Sequence, residues 1–138
     1  MAYHKNFKRF KPAAVDAVRQ LITGWQELSD AAKLERMQDA AARLSAAYGI
    51  LTPGVVFDAA DWSENGRYYV TIHEIVLTKL SQVTFLHEFR HAMQHHVAGI
   101  VVQRDAEHDA RGWSQSLYHV VAPRTYAKLR AEGAIFYR

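Results

Sequence analysis

The sequence predicts an α+β fold in which a small antiparallel sheet packs against helices. Three features of the apolar pattern carry that prediction. Apolar residues recur at helical spacing over 12–49, a β-rich stretch with turn residues covers 54–78, and the helical period returns over 80–121. Read this way, the element order is α-α-β-β-α-α-α.

Pro12 suits the first turn of a helix, and Val15, Val18, Leu21, Ile22 and Trp25 share one face of "AAVDAVRQLITGWQEL", with Gly24 weakening its end. Ser29 or Asp30 caps a second helix, "AAKLERMQDAAARLSAAY". Its stripe is Leu34, Met37, Ala41, Leu44 and Tyr48, and Gly49 is its stop. Both stripes read as core. Pro53-Gly54 then marks a turn, residues 55–59 and 67–73 are β-rich, and Asn65-Gly66 between them reads as a hairpin turn. A short strand over 75–77 follows. From Ser81 to Val97 the period is helical and Gly99 ends it; a further helix runs from about residue 104 to Val121, before Pro123. "RTYAKLRAE" forms a last short helix ending at Gly133, with "AIFY" as a terminal strand.

Length and composition limit what such a fold can do. A chain of 138 residues reads as one domain, and 49% apolar with 22% charged residues is the composition of a soluble globular protein. There is no cysteine, which excludes disulfides, thiolate nucleophiles and cysteine ligation of zinc; any metal must be held by His, Asp or Glu. No apolar run of about eighteen residues exists to span a membrane. The opening "MAYHKNFKRFKP" is basic but lacks the apolar segment of a signal peptide, so a cytoplasmic protein is expected. The net charge is +3, concentrated at Lys5, Lys8, Arg9 and Lys11, with Tyr3, Phe7 and Phe10 interleaved. Such an arm over residues 1–11 could touch nucleic acid or an acidic partner; it reads instead as a solvated terminus.

Chemistry concentrates in "FLHEFRHAMQHH", residues 85–96, which hold four of the eight histidines. Within it, His87-Glu88-Phe89-Arg90-His91 is an H-E-x-x-H motif. On a helix, residues four apart are separated by about 40° around the axis and about 6 Å along it. His87 and His91 can therefore turn one nitrogen each toward a single ion, and Glu88 can reach water beside that ion without being a ligand. On the same helix Phe85, Leu86, Phe89, Met93 and Val97 form an apolar arc, with His87, Glu88, His91 and His95 on the adjoining one. That is the patterning of a cleft wall. His95, two turns from His87, reads as a rim or supporting residue, and His96 as a core histidine. His73-Glu74 resembles a second start of the motif but lies on an expected strand, with Leu77 in place of the second His.

Zinc needs a third protein ligand and an open position. Asp105, Glu107, His108 and Asp109, all in "QRDAEHDARGW", are the candidates, and Gly99 lets the chain reverse to bring them back. The longer pattern H-E-x-x-H-x-x-G-x-x-H fails at Gln94 and Val97, which favours a carboxylate ligand. In peptide hydrolysis Glu88 would be the general acid/base, with an oxyanion donor among Tyr118, His119, His108 and Arg111. The sheet edge over 67–73 could take an extended protein or peptide substrate by strand addition.

These pieces, a strand followed by "HEFRHAMQH" and then "EHDARGWSQSL", resemble the ImmA/IrrE family of zinc metallopeptidases. That family's motifs take the forms H-E-x-G-H-x-x-x-H and E-x-E-A-N-x-F-A-x-x-L. The resemblance covers roughly residues 67–123. It implies a zincin-like fold with one Zn2+ on His87, His91 and Glu107, and Glu88 as the catalytic residue. It aligns His95 with the family's third histidine, and Asp109, Ala110, Trp113 and Leu117 with the downstream motif. It also implies a regulatory protein of a phage or other mobile element as substrate. Arg90 departs from the usual Gly, placing a long cation beside the site, and Arg111 departs from the usual Asn. Two other classes compete: a zinc site used only for binding or structure, and a basic nucleic-acid-binding protein with an incidental motif.

Overall fold

The computed structural model describes residues 9–59, 64–100 and 104–133. Among them the chain forms five α-helices and a three-stranded sheet: α1 (Pro12–Ile22), α2 (Asp30–Tyr48), β1 (Gly54–Phe57), β2 (Gly66–Tyr69), β3 (Glu74–Leu77), α3 (Gln82–His96), α4 (Ala106–Val121) and α5 (Pro123–Ala131). The α+β class holds. The sheet, however, is mixed where the sequence suggested an antiparallel one.

Local signals account for most helix boundaries. Ser29 caps α2, its hydroxyl accepting from the Ala32 N–H at 3.2 Å, and Gly49 at φ +70° stops that helix. The Ser81 hydroxyl accepts from the Thr84 N–H at 3.3 Å and opens α3. α1 ends earlier than its apolar stripe: Gly24 at φ +66° turns the chain, and Trp25–Glu27 form a separate 3-10 turn. Arg36 holds that end by donating to the carbonyls of Gln20 at 2.7 Å and Thr23 at 2.6 Å. Lys11, expected in a solvated arm, donates to the Ala47 carbonyl at 2.8 Å and lies over the Tyr48 ring, capping the negative end of α2. Residues 1–8 of that arm and the expected "AIFY" strand lie outside the described residues.

In the sheet the strand order is β1-β3-β2, with β1 parallel and β2 antiparallel to β3. The hairpin read at Asn65-Gly66 is therefore absent: β1 and β2 never pair. Burial explains the order. Ile75, Val76 and Leu77 are all buried, so β3 takes the centre, whereas β1 and β2 alternate and take the edges. Gly66 serves space and not a turn. A Cβ there would sit 2.9 Å from Leu77 Cδ2 and 3.0 Å from Thr84 Cγ2. β2 is also shorter than its β-rich stretch, since residues 70–73 turn back to β3, and His73 sits in that turn at φ +50°.

His96 is exposed at the end of α3, and not a core histidine. Its role follows from donor logic. His73 Nε2 lies 2.7 Å from the Leu51 carbonyl, which only accepts, so that nitrogen carries the proton. His73 Nδ1 then accepts from the Tyr68 hydroxyl at 2.6 Å, and Tyr68 accepts from His96 Nε2 at 3.0 Å. These three side chains strap β2 and its turn to the end of α3. Below them one apolar core draws Leu21 from α1, Leu44 from α2, Val55 from β1, Ile75 from β3, Phe89 from α3, Leu117 from α4 and Tyr126 from α5. α3 packs against the sheet on one side and α4 on the other.

Candidate metal centre

α3 carries its apolar residues Phe85, Leu86, Phe89 and Met93 into the core, which leaves His87, Glu88 and His91 facing a cleft between β2 and α4. The cleft has a volume of about 580 Å³. Across it, the first turn of α4 presents Glu107. Its Oε1 lies 2.6 Å from His91 Nε2 and its Oε2 lies 3.2 Å from His87 Nε2. The two imidazole rings stand one turn apart, centroids 4.9 Å from each other. One donor atom from each of the three residues lies within 4.8 Å of the other two. Among the described residues no other such triad forms.

The donor set fits a divalent cation. Two imidazole nitrogens and a carboxylate oxygen are all lone-pair donors, and two histidines with one carboxylate suit zinc, with manganese and iron as chemical competitors. The electrostatics agree. Burial holds His87 below the ordinary histidine range, favouring the neutral ring that can ligate. Burial also opposes charge on Glu107, but the two histidines outweigh it and hold its carboxyl below the usual range. Glu88 is different. It is 8% exposed, and burial pushes its carboxyl up to about 7, against the opposing pull of His91. A hydrogen bond from the Tyr68 backbone N–H also opposes the shift.

The other residues singled out by sequence separate cleanly. His95 and Arg111 line the cleft, and Arg111 Nη2 is 3.9 Å from Glu107 Oε2. Asp105 and His108 are exposed and lie outside the triad. Tyr118 is turned away from the cleft and donates to Gln82 Oε1 at 2.8 Å, while His119 packs edge-on against Tyr126. Asp109 lies behind the site: Arg90 grips its carboxylate at 2.8 Å and 3.2 Å. Arg90, expected beside the site, is itself buried, its guanidinium 5.5 Å from the Trp113 ring centre. Sequence reasoning passed over Gln94, which bonds His91, Asp109 and the Ala106 carbonyl. It also missed the Tyr68 backbone. No side-chain pattern encodes a backbone donor, and Gln94 differs from a surface glutamine only through its neighbours.

The β2 edge borders the same cleft. Thr78 N–H bonds the Asn65 carbonyl at 2.9 Å, so by antiparallel alternation Gly66 and Tyr68 point their backbone groups away from β3. The Tyr68 N–H meets Glu88, and the backbone of Gly66 and the Tyr68 carbonyl face the cleft side. No protein-family model, curated protein or solved structure matches the chain. Among the described residues no helix is long and apolar enough to cross a membrane.

Proposed function

We propose that the chain is a zinc metallopeptidase that hydrolyses a peptide bond in a protein substrate. The observation that carries this reading is the convergence of His87, His91 and Glu107 beside a buried Glu88. His87 and His91 of α3 and Glu107 of α4 would hold one Zn2+. When bound, that ion supplies Lewis acidity, polarising a carbonyl and lowering the pKa of water.

The protein's own groups supply the rest. Glu88 has its proton affinity raised by burial to about 7, near the optimum for taking a proton from attacking water and returning it to a leaving amine at neutral pH. The Tyr68 backbone N–H hydrogen-bonds its carboxylate. The backbone of Gly66 and the Tyr68 carbonyl would hold an extended chain by strand addition across the three ligands. Arg111 and His95, which line the cleft, would stabilise developing oxyanion charge. A site used only for metal binding is the competing reading. It gives no reason to retain Glu88, because burying a carboxylate destabilises a fold. The motif resemblance to ImmA/IrrE peptidases extends the proposal to regulatory proteins of mobile elements as substrates.

Metal analysis of purified protein, with peptide-library cleavage, tests this. Wild type should hold one zinc per chain, lost in His87→Ala and Glu107→Ala, and Glu88→Gln should keep zinc while losing hydrolysis. Stoichiometric zinc in His87→Ala, or full activity in Glu88→Gln, would overturn it.

A further inference from the structure

The carboxamide of Gln94 sits where α3 and α4 meet, and its contacts are directional. Its Nε2 lies 2.9 Å from the Ala106 carbonyl and 2.9 Å from Asp109 Oδ2. Both of those are acceptors only, so both amide hydrogens are committed to them. Oε1 remains, 2.8 Å from His91 Nδ1, and it can only accept. His91 then donates from Nδ1, which leaves Nε2, 2.6 Å from Glu107 Oε1, as the nitrogen turned to the metal position.

We infer that Gln94 is a positioning residue that sets two of the three metal ligands at once, fixing the tautomer of His91 and the placement of the turn bearing Glu107. This rests on the metal-centre reading above. The second half follows from sequence adjacency: Ala106 immediately precedes Glu107, so the bond to its carbonyl ties the first turn of α4 to the same amide that holds His91. Gln94 is held in turn. Asp109 takes the amide hydrogen with one oxygen and Arg90 with both, and Arg90 lies over the Trp113 ring of α4. A long cation at position 90 therefore acts from behind the site, orienting Asp109, which orients Gln94. Partners of this kind that hold a metal-ligating histidine typically change metal affinity by about 10–100-fold when removed.

Two readouts test the inference, both independent of catalysis. In metal-free Glu107→Ala protein, which lacks the carboxylate competing for a proton on Nε2, 15N and 13C shifts of His91 at a pH where the ring is neutral report which nitrogen carries the proton. That protein should show the Nδ1–H form, and adding Gln94→Ala should shift the ring toward Nε2–H. Zinc affinity, measured by competition with a chromophoric chelator, should fall about 10–100-fold in Gln94→Ala. Gln94→Glu should also weaken binding, because it removes the donor to the Ala106 carbonyl and sets a second carboxylate against Asp109. A Gln94→Ala substitution that leaves the tautomer unchanged and the affinity within threefold would overturn the inference. An Nδ1–H form in the Glu107→Ala protein, beside a wild type that takes up no zinc, would overturn the metal centre while upholding the positioning of His91.

Discussion

Two helix pairs in this molecule are built from similar lengths of chain and spend them differently. Where α1 meets α2, the contact is apolar: Ala14, Ala17, Val18 and Leu21 face Met37, Ala40, Ala41 and Leu44, all buried. Small residues let the two backbones approach, and the charged contacts, such as Arg36 on the carbonyls ending α1, sit at the margin. Where α3 meets α4, Phe89 and Trp113 stack at the base, but the seam above them is polar, running from Arg90–Asp109 through Gln94 to His91–Glu107. Directional bonds of this kind stabilise less per group than apolar packing and penalise any unmade partner. They do fix the positions of individual atoms. The first pair is a scaffold, and the second holds the donor atoms of the candidate site in register.

The largest contrast is expected in activity. Glu88→Gln should lower peptide hydrolysis by about 10²–10⁴-fold with zinc retained, measured as kcat on a cleavable peptide. The equivalent substitution of a core residue such as Leu44→Ala should leave the per-molecule rate of folded protein unchanged.

Next comes stability. Leu44→Ala empties a fully buried position between α2 and its neighbours and should lower unfolding free energy by about 2–5 kcal/mol in a urea titration. Zinc affinity of the folded fraction should hold within a factor of three. A tenfold loss of affinity would show that the scaffold pair also tunes the site, and the division drawn above would fail.

Glu88→Gln has a second consequence, of opposite sign. In the folded, metal-free protein Glu88 holds its proton up to about pH 7, against 4.5 for an ordinary glutamate. Between those values the native state binds the extra proton, so stability falls as pH rises through that window. The penalty is complete above about 7 and absent below 4.5. Glutamine carries no charge to bury and still accepts from the Tyr68 N–H. The variant should therefore gain up to about 3 kcal/mol over wild type at pH 8 in a chelator, and nothing at pH 4. Equal unfolding curves at pH 8 would mean that Glu88 is solvated in the metal-free protein.

Gly66→Ala should have the smallest effect, about 1–3 kcal/mol, because its new methyl would press on Leu77 and Thr84. The strain falls where β2 meets α3, so KM for an extended peptide should rise more than kcat falls. An unchanged KM would argue against strand addition along β2.

Much of this was written in the chain itself. The 3.6-residue period, the Ser29 and Ser81 caps and the Gly49 stop are local signals, because helix termini need partners that lie within four residues. The i, i+4 spacing of His87 and His91 likewise needs nothing beyond one helix to converge. What depended on distant segments was legible only when folded. Asn65-Gly66 has the composition of a turn, yet the glycine is there for a close approach by Leu77 and Thr84, and β3 goes between β1 and β2 because it is the strand most fully covered. Four residues over 105–109 offered a third ligand. Each step of the helix rotates by about 100°, and only the docking of α4 onto α3, set by Gln94 and by Arg90 on Asp109, turns Glu107 toward the histidines.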